Sequence, residues 1–162
     1  MSAGTTPEAQ RSPQQRAAVA FAAALADEVL AAEAIVVASP LYNFGVPQHL
    51  KTWIDLLITD PRLGPGTAPL TGRPLALVIA RGGGYSPGTP RAGWDHATPY
   101  LQQIFGAVLG ADVTLVEAEL TLASVVPAMA ALVPQAEQLR VQARELAAET
   151  GRALAERVAV AA

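Results

Sequence analysis

Hydrophobic positions along the chain follow two kinds of pattern, one typical of strands and one typical of helices. Short apolar runs with β-branched residues occupy 34–39, 75–81 and 112–119, and we interpret them as strands. The first run directly follows a helical segment, so we expect it to be buried on both faces. The segments between the runs are alanine-rich or carry apolar side chains at three- and four-residue spacings, which predicts helices. These helices are expected at residues 13–32, 46–59, 94–110 and 126–158.

Capping and breaking residues set the expected ends of these elements. Residues 12–15 read Ser-Pro-Gln-Gln, a capping-box pattern with proline at the first helical position. Four prolines and three glycines lie within 60–74, which predicts an exposed loop. Residues 82–93 form a second expected loop, and Gly110 ends the helix that follows it.

The predicted elements alternate between helix and strand along the chain. Such alternation predicts an α/β fold with a parallel sheet, right-handed crossovers and helices on both faces. A length of 162 residues suits a single domain with a sizeable core. We therefore expect one α/β domain at 13–162 with about three strands, preceded by a flexible polar segment at 1–12.

Charge and hydropathy exclude several classes of partner. A formal net charge of −3 offers no basic surface that could release counterions from a nucleic acid. No uncharged stretch reaches membrane-spanning length, and residues 1–13 lack the apolar centre of a signal peptide. We expect a cytoplasmic protein that binds neither nucleic acid nor membrane. A hydrophobic content of 51% indicates surplus apolar surface and favours self-association.

The residue types also exclude thiol and metal chemistry. The chain contains no cysteine, so it has no disulfide, no thiolate ligand and no thiol nucleophile. His49 and His96 have no second ligand at metal-binding spacing, and we expect no metal site. Redox chemistry therefore needs a bound cofactor.

Candidate binding residues follow two of the predicted strands. Tyr42, Asn43 and Phe44 come just after the first strand, and Arg81 at the end of the second is followed by glycines 82–84. Ligands of open α/β sheets bind beyond the carboxyl ends of the strands, which favours one shared site. Each segment also has a purely structural interpretation: an aromatic turn anchored to the core, a solvated arginine and a flexible glycine loop.

Three ordered motifs resemble a known family. They are Pro40-Leu-Tyr-Asn-Phe44 followed by Pro47, Leu50, Lys51 and Asp55, then Arg81-Gly-Gly83, then Thr98-Pro-Tyr-Leu101. The set resembles the FMN-dependent NADH azoreductases and NAD(P)H:quinone oxidoreductases of flavodoxin-like fold. The likeness covers about residues 12 to 120, and the order of the motifs makes it more specific than any one of them.

The resemblance implies a cofactor, a site and a mechanism. It assigns contacts with the isoalloxazine of FMN to Leu41, Tyr42, Asn43, Phe44, Ala80, Arg81, Gly82 and Gly83. Tyr85 and Trp94 are expected near the electron acceptor, although related enzymes often carry a histidine at the position of Tyr85. A hydride would pass from NADH or NADPH to the flavin, and a quinone or azo acceptor would take the electrons in a second half-reaction. No catalytic side chain is required, and the family implies a homodimer.

One departure from the family leaves a second interpretation open. A flavodoxin-like domain has five strands, and its first strand leads into the loop that holds the FMN phosphate. Residues 12–39 resemble the third helix and strand of the family, so this chain shows no counterpart of that loop. The first strand would then have an unpaired apolar edge. The alternatives are a catalytically silent remnant that acts as a dimerisation or interaction module, and a binder of another planar ligand.

Overall fold

Three parallel strands form the centre of the computed structural model, which describes residues 3–161. The strands are β1 (Ile35–Pro40), β2 (Pro74–Ala80) and β3 (Asp112–Ala118). The α-helices are α1 (Pro13–Ala31), α2 (Gln48–Thr59), α3 (Ala97–Gln102) and α4 (Val133–Ala161). A π-helical turn (Gln103–Val108) continues α3, and 3-10 turns lie at Ala3–Thr5, Glu8–Gln10 and Pro127–Leu132.

The strand order is β1-β2-β3, and both pairs are parallel. In register, Val37 lies beside Leu77, and Leu77 lies beside Leu115. The carboxyl ends of all three strands therefore meet at one edge of the sheet. The predicted α/β fold, the parallel sheet and the number of strands are confirmed.

One face of the sheet carries the main hydrophobic core. Leu75, Leu77 and Ile79 of β2 point to this face and are fully buried. They pack with apolar side chains of α1, α2 and the α3 segment, including Ala26, Val29, Ile54, Leu57, Leu101 and Phe105. Helices on this side therefore bury the apolar face that the strand pattern predicts.

The opposite face is only partly covered. Helix α4 packs against β2 and β3, and Val116 of β3 is 2% exposed. On β1, however, Val36 is 66% exposed and Ala38 is exposed as well. The expectation that the first strand is buried on both faces was wrong, because β1 is an edge strand and α4 lies over the other two strands.

Three helices begin later than their apolar patterns predict. A tight turn at 42–45 and Pro47 delay α2 to Gln48. Turns around Trp94 delay α3 to Ala97, and a 3-10 turn precedes α4. The end of the α3 segment agrees with expectation, because Gly110 has the left-handed φ of 84° that suits a helix terminus.

Local contacts confirm one predicted terminus and correct one predicted loop. Ser12 Oγ accepts from the Gln15 N–H at 3.2 Å, and Gln15 Oε1 accepts from the Ser12 N–H at 2.8 Å, which completes the capping box. The loop 60–74 is not exposed throughout, since Leu63 and Leu70 are fully buried and anchor it to the core.

The amino-terminal segment forms short turns against α1. Arg11 donates from Nε to the Thr6 carbonyl at 3.0 Å, and Gln15 reaches the Thr6 hydroxyl at 3.1 Å. Residues 1 and 2 lie outside the described part, and the flexibility expected for 1–12 stays a prediction. Between residues 3 and 161, the structure has no helix with both the length and the apolar character needed to cross a bilayer.

Candidate functional site

The candidate site lies at the carboxyl edge of the sheet. The Leu41 N–H donates to the Ala80 carbonyl at 2.8 Å, which extends the pairing of β1 and β2 into the loops after them. The Arg81 N–H donates to the Ala118 carbonyl at 2.8 Å and does the same for β2 and β3. The two predicted binding segments are therefore adjacent in space, together with a third segment that follows β3.

The loop after β1 contains a strained turn. Tyr42 and Gly45 exchange two backbone hydrogen bonds of 3.2 and 2.9 Å around the central residues Asn43 and Phe44. These two have φ values of 47° and 67°, as in a type I′ turn. Asparagine tolerates this left-handed region, whereas an aromatic residue there is rare and costs free energy. Strained backbone of this kind is common at ligand-binding sites, which makes Phe44 a candidate site residue.

The ring of Phe44 joins two aromatic residues of the loop after β2. Trp94 lies 5.5 Å away between ring centroids at an interplanar angle of 85°, and Tyr85 lies 6.3 Å away at 63°. Both are edge-to-face contacts, a favourable geometry for aromatic pairs. We call Phe44, Tyr85 and Trp94 the aromatic cluster. Trp94 remains 51% exposed, and Tyr42, at 64%, stands exposed on the same turn.

The loop after β2 presents a row of backbone donors. The carbonyls of Arg81, Gly82 and Gly83 accept from the N–H groups of residues 121, 122 and 120, at 3.1 to 3.2 Å. A trans peptide directs its N–H opposite to its carbonyl, so the following N–H groups point away from the 120–122 segment. Within residues 3–161, the N–H groups of Gly82, Gly83 and Gly84 donate to no protein acceptor. We call residues 82–84 the amide loop.

Close packing explains the first glycine of the amide loop. A Cβ at Gly82 would lie 2.6 Å from Cδ1 of Leu122. The group that approaches Gly82 in this structure is the leucine side chain. Glycine at this position lets the 120–122 segment lie against the amide loop.

Arg81 is buried beneath the loop instead of being solvated. Its residue exposure is 6%, and Nη1 contacts Glu119 Oε1 at 3.0 Å. Nη2 lies 2.7 Å from Asp95 Oδ2, 3.0 Å from Thr98 Oγ1 and in contact with Glu117. Arg81 Nε has no partner within the described residues. The guanidinium is engaged with these carboxylates. If a ligand ring binds between the loops, Arg81 therefore contacts it through its backbone.

Asp95 connects this ion cluster to the start of α3. Its Oδ1 accepts from the N–H groups of Ala97 and Thr98, both at 2.9 Å, and its Oδ2 accepts from the Thr98 hydroxyl at 2.7 Å. Burial opposes ionisation, but the Thr98 hydrogen bonds and the charge of Arg81 hold the pKa of Asp95 below its ordinary value.

Sequence reasoning missed the carboxylates of this cluster. Glu117 and Glu119 stand two residues apart at the end of β3, beside an arginine at the end of β2. This pattern of opposite charges at neighbouring strand ends was visible in the sequence. In the described residues, no three His, Cys, Asp or Glu side chains are placed to hold a metal ion.

Fold and site together define a class of protein. An open parallel sheet with donor-rich and aromatic loops at its carboxyl edge is the architecture of α/β proteins that bind flat cofactors or nucleotides there. Residues 1–145 match the family described as having a flavodoxin-like fold. The chain belongs to this flavodoxin-like family.

Named relatives are oxidoreductases that are longer than the segments they share with this chain. An FMN-dependent NADH:quinone oxidoreductase of Parafrankia sp. (strain EAN1pec) is 43% identical over 115 residues, which is 69% of this chain and 54% of the relative. An azoreductase of Bacillus anthracis str. Sterne superposes with a TM-score of 0.68 at 27% identity, covering 87% of this chain and 66% of that one.

A second azoreductase structure shares the fold. The FMN-dependent NADH-azoreductase of Bacillus anthracis str. Ames Ancestor, in complex with FMN, has a TM-score of 0.63 at 22% identity. The superposition includes 67% of that protein and 85% of this chain. Both structures support the flavodoxin-like architecture of the three-stranded sheet.

The site has donors that suit a flavin ring but no counterpart of the expected phosphate loop. Three unpartnered amides and the amide side chain of Asn43 can satisfy carbonyl and ring-nitrogen acceptors of an isoalloxazine. In the described residues no strand precedes β1. A phosphate-binding strand and loop next to β1 therefore have no equivalent there.

Proposed function

We propose that this chain carries the ring-binding part of an FMN-dependent oxidoreductase that reduces quinone or azo compounds with NADH or NADPH. One observation carries the proposal: the unpartnered amides of 82–84 and the aromatic cluster, drawn from the loops after β1 and β2, share the carboxyl edge of the sheet. The names of the relatives support the same chemistry. The chain spans about half the length of the matched quinone oxidoreductases, so the whole reaction is part of the proposal.

The proposed contacts combine backbone donors with flat side chains. Residues assigned to the ring are Leu41, Tyr42, Asn43, Phe44, Ala80, Arg81, Gly82 and Gly83. When bound, FMN supplies a ring that accepts a hydride from NADH or NADPH and returns two electrons to the acceptor, in separate half-reactions. Amides of the loop stabilise negative charge on such a ring, and Asn43 offers a donor and an acceptor beside it.

Tyr85 and Trp94 of the aromatic cluster are the proposed contacts for the electron acceptor. Tyr85 and the half-exposed Trp94 present ring edges and faces next to Phe44. Quinones and azo dyes are flat and aromatic, so they gain free energy by stacking and by burying apolar surface. These side chains exclude water and orient the acceptor, and none of them has to move a proton.

Assembly and location are further parts of the proposal. We infer a homodimer, because exposed apolar side chains such as Val36, Val125 and Val133 need cover. A cytoplasmic location agrees with the absence of cysteine from the chain.

A second candidate function rests on the uncovered strand. Val36 is 66% exposed on an edge strand that pairs on one side with β2. Such an edge can accept another strand, so the chain would serve as a dimerisation or interaction module without catalysis. This candidate requires no flavin.

Flavin binding tests the proposal directly. Purified protein is titrated with FMN, desalted and examined by visible spectroscopy, and NADH is then added. A retained yellow complex that bleaches with NADH supports the oxidoreductase. Absence of binding up to about millimolar FMN, a free energy near −4 kcal/mol, rejects it for this chain and favours the interaction module.

A matched pair of variants tests the location of the ring. Asn43→Gly keeps the left-handed backbone and removes the side-chain amide, and we expect it to weaken FMN binding about tenfold. Thr52→Ala, on an exposed position of α2, serves as the control. Equal FMN affinities for both variants would show that the Asn43 side chain does not contribute to the site.

A further inference from the structure

One carboxylate joins both ends of the amide loop. Glu119 Oε1 accepts from Nη1 of Arg81 at 3.0 Å and from the Tyr85 N–H at 2.9 Å. Its Oε2 accepts from the Ser86 hydroxyl at 3.1 Å. The Glu119 side chain is only 9% exposed, so these contacts are formed in a poorly solvated place. Arg81 precedes the amide loop, and Tyr85 and Ser86 follow it.

The residues after Glu119 hold the middle of the same loop. The N–H groups of Leu120, Thr121 and Leu122 donate to the carbonyls of Gly83, Arg81 and Gly82, in that order. The Thr121 hydroxyl also donates to the Arg81 carbonyl at 3.0 Å. Segment 119–122 therefore contacts every peptide from 81 to 83 and both flanks of the loop.

We propose that Glu119 is a positioning residue that fixes the three free amides of the loop and the Tyr85 ring relative to each other. It acts through Arg81, Tyr85 and Ser86, not by touching a ligand. Its hydrogen bonds to a guanidinium and a backbone N–H are charge-assisted, and such bonds are stronger than neutral ones. The part of the inference that concerns flavin rests on the proposed function, whereas the part that concerns the loop does not.

The rest of the ion cluster makes the proposal testable. Arg81 also contacts Asp95 and Glu117, so it keeps two carboxylates when Glu119 becomes neutral. Glu119→Gln preserves the shape of the side chain, and we expect this variant to fold. Glu117→Gln is the matched control: it removes the same charge from the same arginine, but Glu117 has no contact with residues 82–86 among the described hydrogen bonds.

The first measurement uses the protein without ligand. Amide hydrogen exchange at Tyr85 and at Leu120, Thr121 and Leu122 reports whether the loop stays bound to its supporting segment. In Glu119→Gln we expect these amides to exchange on the order of tenfold faster, as for a weakened charge-assisted hydrogen bond. In Glu117→Gln we expect a change of less than about twofold.

The second measurement adds a ring probe. Lumiflavin carries the isoalloxazine without the phosphate, so its dissociation constant and the shape of its visible band report the ring site alone. We expect Glu119→Gln to weaken lumiflavin binding by about tenfold and alter the band, with a smaller change for Glu117→Gln.

The outcomes separate the two proposals. If the wild-type chain binds neither lumiflavin nor FMN, the proposed function fails, and the exchange experiment alone decides the role of Glu119. If the amides of Tyr85 and of residues 120–122 exchange at the same rate in Glu119→Gln as in Glu117→Gln, the positioning role is overturned. Faster exchange with unchanged lumiflavin affinity and spectrum would make Glu119 a structural residue only, which also overturns the proposal.

Discussion

At the scale of single residues, the site uses conformations and burial that ordinary residues avoid. Phe44 occupies the position of a type I′ turn where glycine is preferred, with φ of 67°. Arg81 is buried among three carboxylates, where loss of a partner is costly. Both features concentrate at the carboxyl edge of the sheet, as expected of a functional region.

The backbone strain at Phe44 predicts an unusual order of stability. Phe44→Ala and Phe44→Gly both remove the aromatic ring, but only glycine adopts a positive φ without cost. We expect Phe44→Gly to be more stable than Phe44→Ala by about 1 kcal/mol in urea unfolding. At a position with ordinary backbone the alanine variant would be the more stable one, and that result would contradict the turn geometry.

The pKa of Asp95 predicts a pH-dependent contribution to stability. This pKa is lowered in the folded state, so the stabilisation is complete above the ordinary value of 3.8 and is lost as the pH falls through the folded value. We expect the free energy of unfolding of wild type to exceed that of Asp95→Asn by about 2 kcal/mol at pH 7. Urea unfolding from pH 7 to pH 3 should show the difference shrinking. A difference that stays constant or grows on acidification would contradict the lowered pKa.

At the scale of elements, local signals define where helices begin and end, whereas tertiary contacts change their form. The capping box at Ser12 starts α1 as predicted. The predicted helix at 94–110 is instead a short α3 followed by a π-helical turn, closed by Gly110. Hydrogen bonds from Leu109 to Ile104 and from Ala111 to Phe105 accompany this wider geometry.

Two glycines with similar φ angles distinguish the cost of a strained backbone from the cost of a steric clash. Gly110 and Gly88 have φ of 84° and 87°. A Cβ at Gly110 would lie 2.9 Å from Thr71 Oγ1 and 3.2 Å from the Ala68 Cβ, whereas one at Gly88 meets no atom within 4 Å. We expect Gly88→Ala to cost about 1 kcal/mol and Gly110→Ala about 2 to 3 kcal/mol in thermal or urea unfolding. Equal costs would mean that the end of the π-helical turn packs less tightly against the 60–74 loop.

At the scale of the whole molecule, one side of the sheet packs against the main core, and the other side is covered only over β2 and β3. Val37 is 6% exposed in the main core, and its neighbour Val36 is 66% exposed on the other face. The flavodoxin-like relatives are longer than this chain, and the uncovered face belongs to the edge strand.

Adjacent valines of β1 test this asymmetry. Threonine has nearly the shape and strand preference of valine but adds a hydroxyl, which is costly only when it is buried without a partner. For an isolated chain we expect Val37→Thr to cost about 2 kcal/mol and Val36→Thr less than about 0.5 kcal/mol. A large cost at Val36 that grows with protein concentration would show that a second copy covers this face.

The sequence by itself determined the features that depend on near neighbours. Apolar runs indicated the three strands, and the capping box at Ser12 indicated the start of α1, because periodicity and capping act within a few residues. The polar and glycine-rich segments after β1 and β2 indicated two candidate binding segments, which stay a prediction. The order of motifs also identified the flavodoxin-like family, which the family match confirmed.

Only the tertiary structure decided what depends on residues far apart in the chain. The burial of Arg81 with Asp95, Glu117 and Glu119 requires the carboxyl ends of β2 and β3 to meet the start of α3. Val36 is apolar and would suit a buried face, but its exposure depends on where α4 packs. Burial and electrostatic pairing arise from the whole arrangement of elements, so a local pattern cannot specify them.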